Sequence, residues 1–449
     1  MSAQPFVPPF PPRGSGPVVP WRGFIGERGR TAVYGWSRQA FKSWHITRNV
    51  LGHRVHIPLH PDSIQRVLLD NSGNYEKPGL IKRLLLPTIG RGLLSSDGDL
   101  WRKQRKIVAA SFSPPAVDFL VPVFASVAAE AMARWSDGRR DMALEATEAT
   151  MRVISLALFS GDERLTSREA SGHINAALES VTEARLQVLL GLPLVPLTPR
   201  GFRGRAGQKY LRNTLGRLVR ERLSEEAPDD FVTGMARELI AQFPRDEAID
   251  LAVDNAITFY LAGHETTANA ISWTLFILSR LPELQDEAAT EARAALSCEV
   301  DSGLPDRLPL LRSILDETLR LYPSAPRFDR EAVASDQLGD HRIEPGDLVS
   351  IWPWLVHRHE KLWAEPDTFD HRRFLDHPAK NWHRFQYIPF GGGPRTCVGA
   401  RFAMAEALAI LAVWLAGWRF DPSPGRPVEL SGQVTLRPKG GMPLLLRSH

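Results

Sequence analysis

The residue types most able to do chemistry are grouped in one short segment near the C-terminus. Residues 390–399 read FGGGPRTCVG and lead into an apolar stretch with helical character. Glycine lets the backbone approach a flat ligand closely. A cysteine just before a helix N-terminus is favoured as a thiolate, which is a soft ligand that suits iron. Cys397 is therefore a candidate metal ligand, although glycine-rich loops before helices and buried, inert cysteines also occur without a cofactor.

A second group lies midway along the longest helical pattern. Residues 262–267 read AGHETT, between the apolar residues 257–261 and 268–271. Gly263 lacks a side chain and so leaves room beside a planar group. Glu265 and Thr266 form an acid–alcohol pair that can hold water and pass protons. An isolated Glu-Thr-Thr is usually a solvated turn, but the apolar flanks favour the functional interpretation here.

Two further pairs have helical spacing. Glu317 and Arg320 lie on one helix face, which in isolation indicates an exposed ion pair contributing under about 1 kcal/mol. Trp101 and Arg105 place an indole N–H and a guanidinium one turn apart, so both can bind one carboxylate. That spacing is also common on helices without any ligand.

Together and in this order, the segments resemble the cytochrome P450 family. The haem-binding signature Phe-x-x-Gly-x-Arg-x-Cys-x-Gly is filled by Phe390, Gly393, Arg395, Cys397 and Gly399. AGHETT, ETLR and WRKQR resemble the family's distal-helix, Glu-x-x-Arg and Trp-x-x-x-Arg motifs. The segment 366–374, PDTFDHRRF, resembles Pro-x-x-Phe-x-Pro-x-Arg-Phe, with His371 where proline is usual, and it supplies Arg373. AGHETT and ETLRLYP are most similar to the fatty-acid and eukaryote-like branch, and the expected lack of an anchor indicates a soluble bacterial type.

The resemblance implies a haem-thiolate monooxygenase that uses haem b. Cys397 would be the axial ligand of the iron, and Glu265 and Thr266 would deliver protons. Glu317 and Arg320 would form a buried pair, completed by Arg373, that braces the cysteine loop. The other cofactor-binding residues that it implies are Trp101, Arg105, Ala262, Gly263, Arg330, Phe390, Gly391, Arg395 and Gly399. The expected substrate pocket is mostly apolar, which suits a fatty acid, terpenoid or steroid, and consists of Leu80, Leu84, Phe259, Arg327, Phe328 and Leu436.

The same resemblance implies O2 and two electrons from NAD(P)H through separate partners. A ferredoxin with its reductase, or a flavodoxin-like donor, would dock on basic residues: Arg102, Lys103, Lys106, Arg372, Lys380 and Arg384. Arg327 either binds a substrate carboxylate or faces solvent or a haem propionate, and the second interpretation is favoured. The alternative functions are an H2O2-driven peroxygenase or haem-thiolate isomerase, against which the Glu265–Thr266 pair argues, and a non-enzymatic haem sensor.

Composition fits a globular enzyme and excludes other classes. The chain has 449 residues, 43% of them hydrophobic, and a net charge of +4 that is too mild for a nucleic-acid binder. Its two cysteines exclude a disulfide scaffold and a multi-cysteine zinc module. We find no secretory signal pattern and no run of about 18–20 apolar residues. We therefore expect a cytoplasmic protein without a membrane span.

The elements that must position these residues form a mainly α fold with small β-sheets. We expect a Pro-rich leader over residues 1–22 and a single large domain over 23–449. The helical pattern 246–280 would span roughly 50 Å and cross the centre of the fold. Further predictions are a strand at 53–60, a long loop at 72–92, and helices at 308–321 and 398–415. The apolar segment 189–199, LLGLPLVPLTP, is expected to be a packed connection, with a mobile lid as the alternative.

Overall fold

The computed structural model describes residues 5–15, 31–50, 52–189, 191–224, 226–375, 382–425, 427–432 and 434–449. The chain divides into two compact units. Residues 1–76, 124–149 and 266–449 form the first, called the sheet unit, and residues 77–123 and 150–265 form the second, called the helical unit. The predicted boundary between leader and domain falls in residues 16–30, outside the described residues, and stays a prediction.

Helices account for most of the described chain, as the sequence predicts. Their bounds are α1 Pro61–Gln65, α2 Gly79–Ile89, α3 Gly98–Ala109, α4 Pro114–Asp118, α5 Val121–Met132, α6 Met142–Phe159, α7 Arg168–Leu189, α8 Pro199–Glu221, α9 Phe231–Gln242, α10 Arg245–Arg280, α11 Pro282–Leu296, α12 Pro309–Leu321, α13 Pro353–Val356, α14 Arg372–Leu375 and α15 Ala400–Gly417.

The strands are short, and all of those described lie in the sheet unit. They are β1 His45–Val50, β2 His53–Pro58, β3 Tyr75–Glu76, β4 Gly138–Asp141, β5 Phe328–Ala332, β6 Asp336–Leu338, β7 His341–Ile343, β8 Leu348–Ile351, β9 Trp418–Pro422, β10 Glu429–Gly432, β11 Leu436–Lys439 and β12 Pro443–Ser448. The largest sheet has the order β1-β2-β8-β5-β3, and only its β2–β8 pair is parallel. It places β5, which carries the predicted residues Phe328 and Arg330, between β8 and β3.

The long helix predicted at 246–280 is confirmed as α10, a 36-residue helix. Asp246 and Glu247 lie in its first turn and Arg280 in its last, which complements the helix dipole. Its first part belongs to the helical unit and its part from Thr266 onward to the sheet unit. One rigid element therefore carries the whole AGHETT segment.

The sheet unit is organised around α15 and the end of α10. Trp414 of α15 is fully buried, and its Nε1 donates to Ala128 O at 3.1 Å. Trp273 of α10 stacks on Tyr322 with ring centroids 4.2 Å apart. The Tyr322 hydroxyl donates to Pro9 O at 2.6 Å, and Arg13 pairs with Asp367 at 2.5 Å. The described part of the Pro-rich leader, residues 5–15, is thus bonded to this unit.

In the helical unit, the predicted loop at 72–92 is wrong, because residues 79–89 form α2. Apart from Pro87, which the helix accommodates near its C-terminus, the helix-breaking residues of this segment lie outside the helix or at its ends. Pro78 precedes the helix, and Gly90 ends it with φ of +56°. The intervening run LIKRLLL consists mostly of good helix formers, so the average Gly and Pro content of the segment misled the prediction.

The predicted packed connection between α7 and α8 is also wrong, since its apolar side chains are largely exposed. Leu197 is 74% exposed and Leu192 48%. The helices on either side do pack closely: a Cβ at Gly207 of α8 would lie 2.3 Å from His173 O of α7. The helices are therefore held together while the loop that joins them faces solvent.

Among the described residues, two segments are long and apolar enough to cross a membrane by length and composition alone. Ala400–Gly417 has 72% of its apolar window buried, which is typical of a core helix, and Pro114–Met132 has 39%. Both are weak evidence for a span.

A buried carboxyl makes the stability of this fold depend on pH. Glu406 of α15 is 0% exposed, and burial raises its pKa well above the ordinary range of a glutamate, partly offset by the Thr267 hydroxyl. The folded state therefore keeps a proton that the unfolded chain releases above about pH 4.3, so stability falls as pH rises.

We expect Glu406→Gln, which has nearly the same shape and no proton to lose, to raise the melting temperature at about pH 8 and to leave it unchanged near about pH 4. Thermal unfolding across this range measures the difference. Glu238→Gln, at an exposed position, is the control and should show no such trend. A gain for Glu406→Gln that is independent of pH would contradict the assignment of a protonated carboxyl.

Candidate active site

Glycines fix the backbone of the loop that carries Cys397. Gly391 and Gly393 have φ of +74° and +67°, in the region that disfavours side chains. A Cβ at Gly393 would lie 1.7 Å from Leu68 O, so only glycine fits there. The Cys397 N–H donates to Phe390 O at 2.9 Å and closes the loop. The loop therefore holds Cys397 three residues before α15 begins.

This loop fits the haem that the family resemblance implies. Cys397 is exposed, so its sulfur is accessible to a ligand. A Cβ at Gly391 would meet only Phe328, at 3.9 Å, which leaves one face of the backbone open. Phe390 and Arg395 are half-buried beside it, and Gly399 is the N-cap residue of α15. A soft sulfur donor on an open, side-chain-free surface suits an iron-bearing planar group.

The Glu317–Arg320 pair of α12 is fully buried. Arg320 donates from Nε and Nη2 to the two carboxylate oxygens of Glu317 at 2.6 and 2.7 Å, and both side chains are 0% exposed. Its Nη1 donates at 2.7 Å to His357 O and to Pro366 O. A third partner is Arg373, whose Nε lies 3.4 Å from Glu317 Oε1. The geometry is that of a bidentate pair with further donors and acceptors, not an exposed surface pair.

Two hydrogen-bonded connections lead from this pair to the cysteine loop. His357, whose carbonyl binds Arg320, accepts at Nε2 from the Ile388 N–H at 2.8 Å. Burial and the nearby Arg320 charge lower the pKa of His357 to about 3, so the ring is neutral and its nitrogen can accept. The Tyr387 hydroxyl donates to Asp316 O at 2.9 Å. Ile388 in turn accepts from Gly391 N at 3.1 Å, so the start of the loop is fixed.

The central part of α10 is accessible at one turn. Between Leu251 and Ser279, every residue of this helix is buried except Ala262, Gly263, Glu265 and Thr266. His264, in the same turn, is 2% exposed, and its Nδ1 lies 2.7 Å from Tyr260 O. The acid–alcohol pair predicted from the sequence therefore lies at the accessible turn of an otherwise buried stretch of helix.

The predicted role of Gly263 needs correction. A Cβ there would lie 2.6 Å from Cδ1 of Ile154 on α6, so the missing side chain makes room for a neighbouring helix and not for a cofactor. Two hydroxyls that the sequence did not reveal brace the same turn: Thr150 donates to His264 O at 3.0 Å, and Ser324 donates to Thr266 O at 2.8 Å. Both are distant in sequence and belong to no motif.

Trp101 and Arg105 are half-buried on α3, as a ligand-binding pair would be. Between them lies Gln104, which is 0% exposed and receives a hydrogen bond of 2.6 Å from Asn255 of α10. Its own amide donates to Ser96 at 3.2 Å. Gln104 thus fixes the rotation of α3 about its axis and, with it, the direction in which Trp101 and Arg105 lie.

Arg330 lies on β5 and Arg327 directly precedes that strand, and their side chains have different surroundings. Arg330 is 8% exposed and its guanidinium lies 5.4 Å from the Phe328 ring. Arg327 is 30% exposed and pairs with Asp329 at 3.3 Å. The Asp329 carboxylate partly neutralises Arg327, which supports the favoured interpretation that this side chain is not a substrate anchor.

The residues predicted to line the substrate pocket differ in their exposure. Leu80 and Leu84 are half-buried in the helical unit, and Phe328 is half-buried in the sheet unit. Two others are buried among their neighbours. Phe259 is 8% exposed because it packs in an aromatic cluster with Phe112 and Phe231, at centroid distances of 5.5 and 5.1 Å. Leu436 is 0% exposed, so it belongs to the core.

Replacing Arg320 tests how much the buried ion pair contributes to the free energy of unfolding. We expect Arg320→Lys to lower the free energy of unfolding by about 2–4 kcal/mol, because lysine cannot reproduce the two-pronged contact and leaves carbonyls unpaired. Arg312→Lys on the same helix is the control. Arg312 pairs with Asp316 at 2.8 Å but is half exposed, so its replacement should cost less than about 0.5 kcal/mol. Equal losses of unfolding free energy for Arg320→Lys and Arg312→Lys in urea titrations would contradict a special contribution of the buried pair.

Comparison with known proteins agrees with this geometry. The family profile described as Cytochrome P450 matches residues 15–445. The chain is 33% identical over 404 residues to cyclooctatin synthase of Streptomyces melanosporofaciens, covering 86% of this chain and 85% of that protein. It is 30% identical over 415 residues to cytochrome P450 4F12 of Homo sapiens, covering 85% and 78%. The crystal structure of the cytochrome P450DA heme domain shares the fold, with a TM-score of 0.83 at 22% identity over 99% of this chain and 98% of that one. With a profile match along nearly its whole length and relatives at this identity, the chain belongs to the cytochrome P450 family.

Proposed function

We propose that this cytochrome P450 inserts one oxygen atom from O2 into an uncharged lipophilic substrate, with Cys397 as the axial ligand of its haem and Glu265 and Thr266 as the residues that deliver protons. The observation that carries the proposal is the exposure pattern of α10. Within the buried stretch 251–279, the accessible turn is the one that carries an acid and an alcohol, which is the pair of groups that proton transfer requires.

Membership of the family supplies the general chemistry: a thiolate-ligated haem activates dioxygen with the help of reducing electrons. The chain's own residues position and protect that site. The glycine loop presents the Cys397 sulfur, and the buried Glu317–Arg320 pair holds the loop in place. Trp101, Arg105, Arg330 and Arg395 are proposed to bind the carboxylates of the haem, because an indole N–H and guanidinium groups are donors without acceptor atoms.

On the distal side, Glu265 is proposed to exchange protons with solvent and Thr266 to hold a water molecule close to the reacting oxygen. The backbone of this turn does not need either side chain for support, since Thr150 and Ser324 donate to its carbonyls. An acid–alcohol pair at this turn supports a monooxygenase that reduces O2 and so consumes protons. An isomerase or a haem sensor does not reduce O2, and a peroxygenase starts from H2O2.

The charges of the residues predicted to contact the substrate support an uncharged molecule. The half-buried members Leu80, Leu84 and Phe328 are apolar, and the cationic member, Arg327, already has Asp329 as its partner. A free carboxylate would have to compete with Asp329 for the guanidinium. A terpenoid or steroid therefore fits better than a fatty acid, within the lipophilic class that the sequence predicts.

Electrons are proposed to come from NAD(P)H through a ferredoxin and its reductase, or through a flavodoxin-like donor, in the cytoplasm. Among the basic residues predicted for docking, Lys103, Lys106 and Arg384 are exposed. Arg102 and Arg372 are also exposed but pair with Asp99 and Asp370, so their charge is partly neutralised. Lys380 lies outside the described residues. An acidic partner would gain most from Lys103, Lys106 and Arg384.

Replacement of the two cysteines tests haem ligation directly. We expect Cys397→Ser to abolish the strongly red-shifted Soret band of the reduced carbon-monoxide complex, because serine is a hard oxygen donor that does not replace a thiolate. Cys298→Ser, which removes the other exposed cysteine, should leave the band intact. A normal band in Cys397→Ser would remove the basis of the proposal.

Replacing Thr266 tests whether its hydroxyl takes part in proton delivery. We expect Thr266→Val to lower product formation on the order of 100-fold while the carbon-monoxide spectrum stays normal, and Thr266→Ser to retain most of the activity. Thr274→Val is the matched control, since Thr274 is buried on the same helix and donates only to Ala270 O within it. If Thr266→Val is fully active when H2O2 replaces O2 and no reductase is present, the peroxygenase is favoured.

A further inference from the structure

Two adjacent polar residues in the buried stretch of α10 have no part in the proposed function. Asp254 and Asn255 lie eight and seven residues before Ala262, in the part of α10 that belongs to the helical unit. Asp254 is 5% exposed and Asn255 is 0% exposed. A buried carboxylate and a buried amide are tolerated only where hydrogen bonds replace those to water. Several of their partners lie in residues 90–97, which join α2 to α3 and which we call the α2–α3 connection.

Asn255 binds the α2–α3 connection and α3 at the same time. Its Oδ1 accepts from the Leu93 N–H at 2.9 Å, and its Nδ2 donates to Gln104 Oε1 at 2.6 Å. The same Nδ2 donates to Leu251 O at 2.9 Å within α10. Both N–H groups and the carbonyl oxygen of the amide are therefore used, and the side chain has one defined orientation.

Gln104 of α3 completes a closed cycle of hydrogen bonds. Its Nε2 donates to Arg91 O at 3.1 Å and to Ser96 Oγ at 3.2 Å. Arg91 and Leu93 both belong to the α2–α3 connection, so the cycle runs from α10 to α3, on to the connection and back to α10. Because every member is buried or bonded through its backbone, α3 cannot rotate about its axis without leaving buried polar groups unpaired.

Asp254 holds the beginning of the α2–α3 connection against α10. Its Oδ2 accepts from the Arg91 N–H at 2.7 Å, and its Oδ1 accepts from Arg212 of α8 at 2.7 Å. The approach is close, since a Cβ at Gly90 would lie 2.0 Å from Asp254 Oδ1 and a Cβ at Gly92 would lie 2.9 Å from Asp254 O. The connection is therefore a fixed support for the cycle that contains Asn255 and Gln104.

We propose that Asn255 and Gln104 are positioning residues for the haem. Asn255 holds Gln104, and Gln104 sets the direction in which Trp101 and Arg105 of α3 meet the haem carboxylates. Gln104 directly precedes Arg105 and lies three residues after Trp101, so a rotation of α3 that separates Gln104 from Asn255 displaces both. The proposal rests on the proposed function in one respect, which is that Trp101 and Arg105 bind the haem carboxylates.

Transfer of haem to an excess of apomyoglobin tests the proposal, because it measures how fast haem leaves the protein. We expect Asn255→Leu and Gln104→Met, which nearly keep the side-chain shape and lose the hydrogen bonds, to raise the haem dissociation rate about tenfold or more. The reduction potential of both haem-loaded variants should fall, because haem carboxylates whose charge is less neutralised stabilise the ferric state. Gln104→Met provides the same test if Asn255→Leu does not fold.

A matched control separates positioning from a general loss of stability. Gln285 of α11 is 2% exposed and donates to Leu278 O at 3.1 Å and to Phe420 O at 2.8 Å. It also accepts from the Phe420 N–H at 2.7 Å. Gln285→Met therefore removes buried hydrogen bonds like those of Gln104, but in the sheet unit and away from α3. It should leave the haem dissociation rate and the reduction potential unchanged.

A double-mutant comparison tests whether Asn255 acts through α3. We expect Asn255→Leu to add little to the haem dissociation rate when it is introduced into Trp101→Phe/Arg105→Leu, because the contacts that it positions are already lost. A merely structural effect of Asn255 would instead multiply with that of the other two substitutions.

Several outcomes would overturn the proposal. These are unchanged haem dissociation in the folded Asn255→Leu and Gln104→Met variants, an equal increase in Gln285→Met, or a fully multiplicative effect in the Trp101→Phe/Arg105→Leu background. If Trp101→Phe/Arg105→Leu itself retains haem like the parent protein, the proposed haem contact of α3 is wrong, and this proposal with it. Acceleration in that variant without any in Asn255→Leu rejects the positioning role alone.

Discussion

The buried ion pair between Glu317 and Arg320 is the constraint on which the surroundings of Cys397 depend. Two charges that are 0% exposed are tolerated only if their remaining hydrogen-bonding capacity is met. Arg320 meets it with the carbonyls of His357, Pro366 and Thr368, and Glu317 with the Asp370 N–H at 2.9 Å. The pair therefore fixes the irregular segments before the cysteine loop, which have little regular secondary structure of their own.

The second organising element is α10, because its stretch 251–279 is buried except at one accessible turn. Most of this stretch is fixed by packing, such as the Trp273–Tyr322 stack. The hydroxyls of Thr150 and Ser324 bind the backbone carbonyls of the accessible turn. Glu265 and Thr266, the residues proposed to deliver protons, lie on that turn. The protein thus separates the residues that hold the site from those proposed to do chemistry in it.

Features that local sequence pattern determines, such as helix bounds, could be predicted, whereas features that depend on packing between distant segments could not. The predicted helix at 246–280 agrees with α10 to one residue because apolar periodicity sets its length. The spacing identified the Glu317–Arg320 pair and the family resemblance implied that it is buried, as the structure shows, but its backbone partners carry no sequence signal. Gly263 was misassigned because a glycine looks the same whether a cofactor or Ile154 takes its space. Phe259 and Leu436 are buried, and their exposure could not be predicted because an apolar residue near a motif is equally suited to a pocket wall or to the core. The hydroxyls of Thr150 and Ser324 carry no sequence signal, since both act across long separations.

The central claim is that the buried pair acts on Cys397 through the His357–Ile388 hydrogen bond, and replacing His357 tests it most directly. His357→Leu removes the acceptor at 2.8 Å from the Ile388 N–H. His359→Leu is the matched control, because His359 is also buried but contacts Ser43 O at 3.0 Å, outside this connection. The measurement is the reduced carbon-monoxide spectrum, with circular dichroism to verify that both variants are folded. The account predicts that His357→Leu loses much of the red-shifted Soret band while His359→Leu keeps it. A full red-shifted band in folded His357→Leu would contradict the claim that this connection holds the cysteine loop.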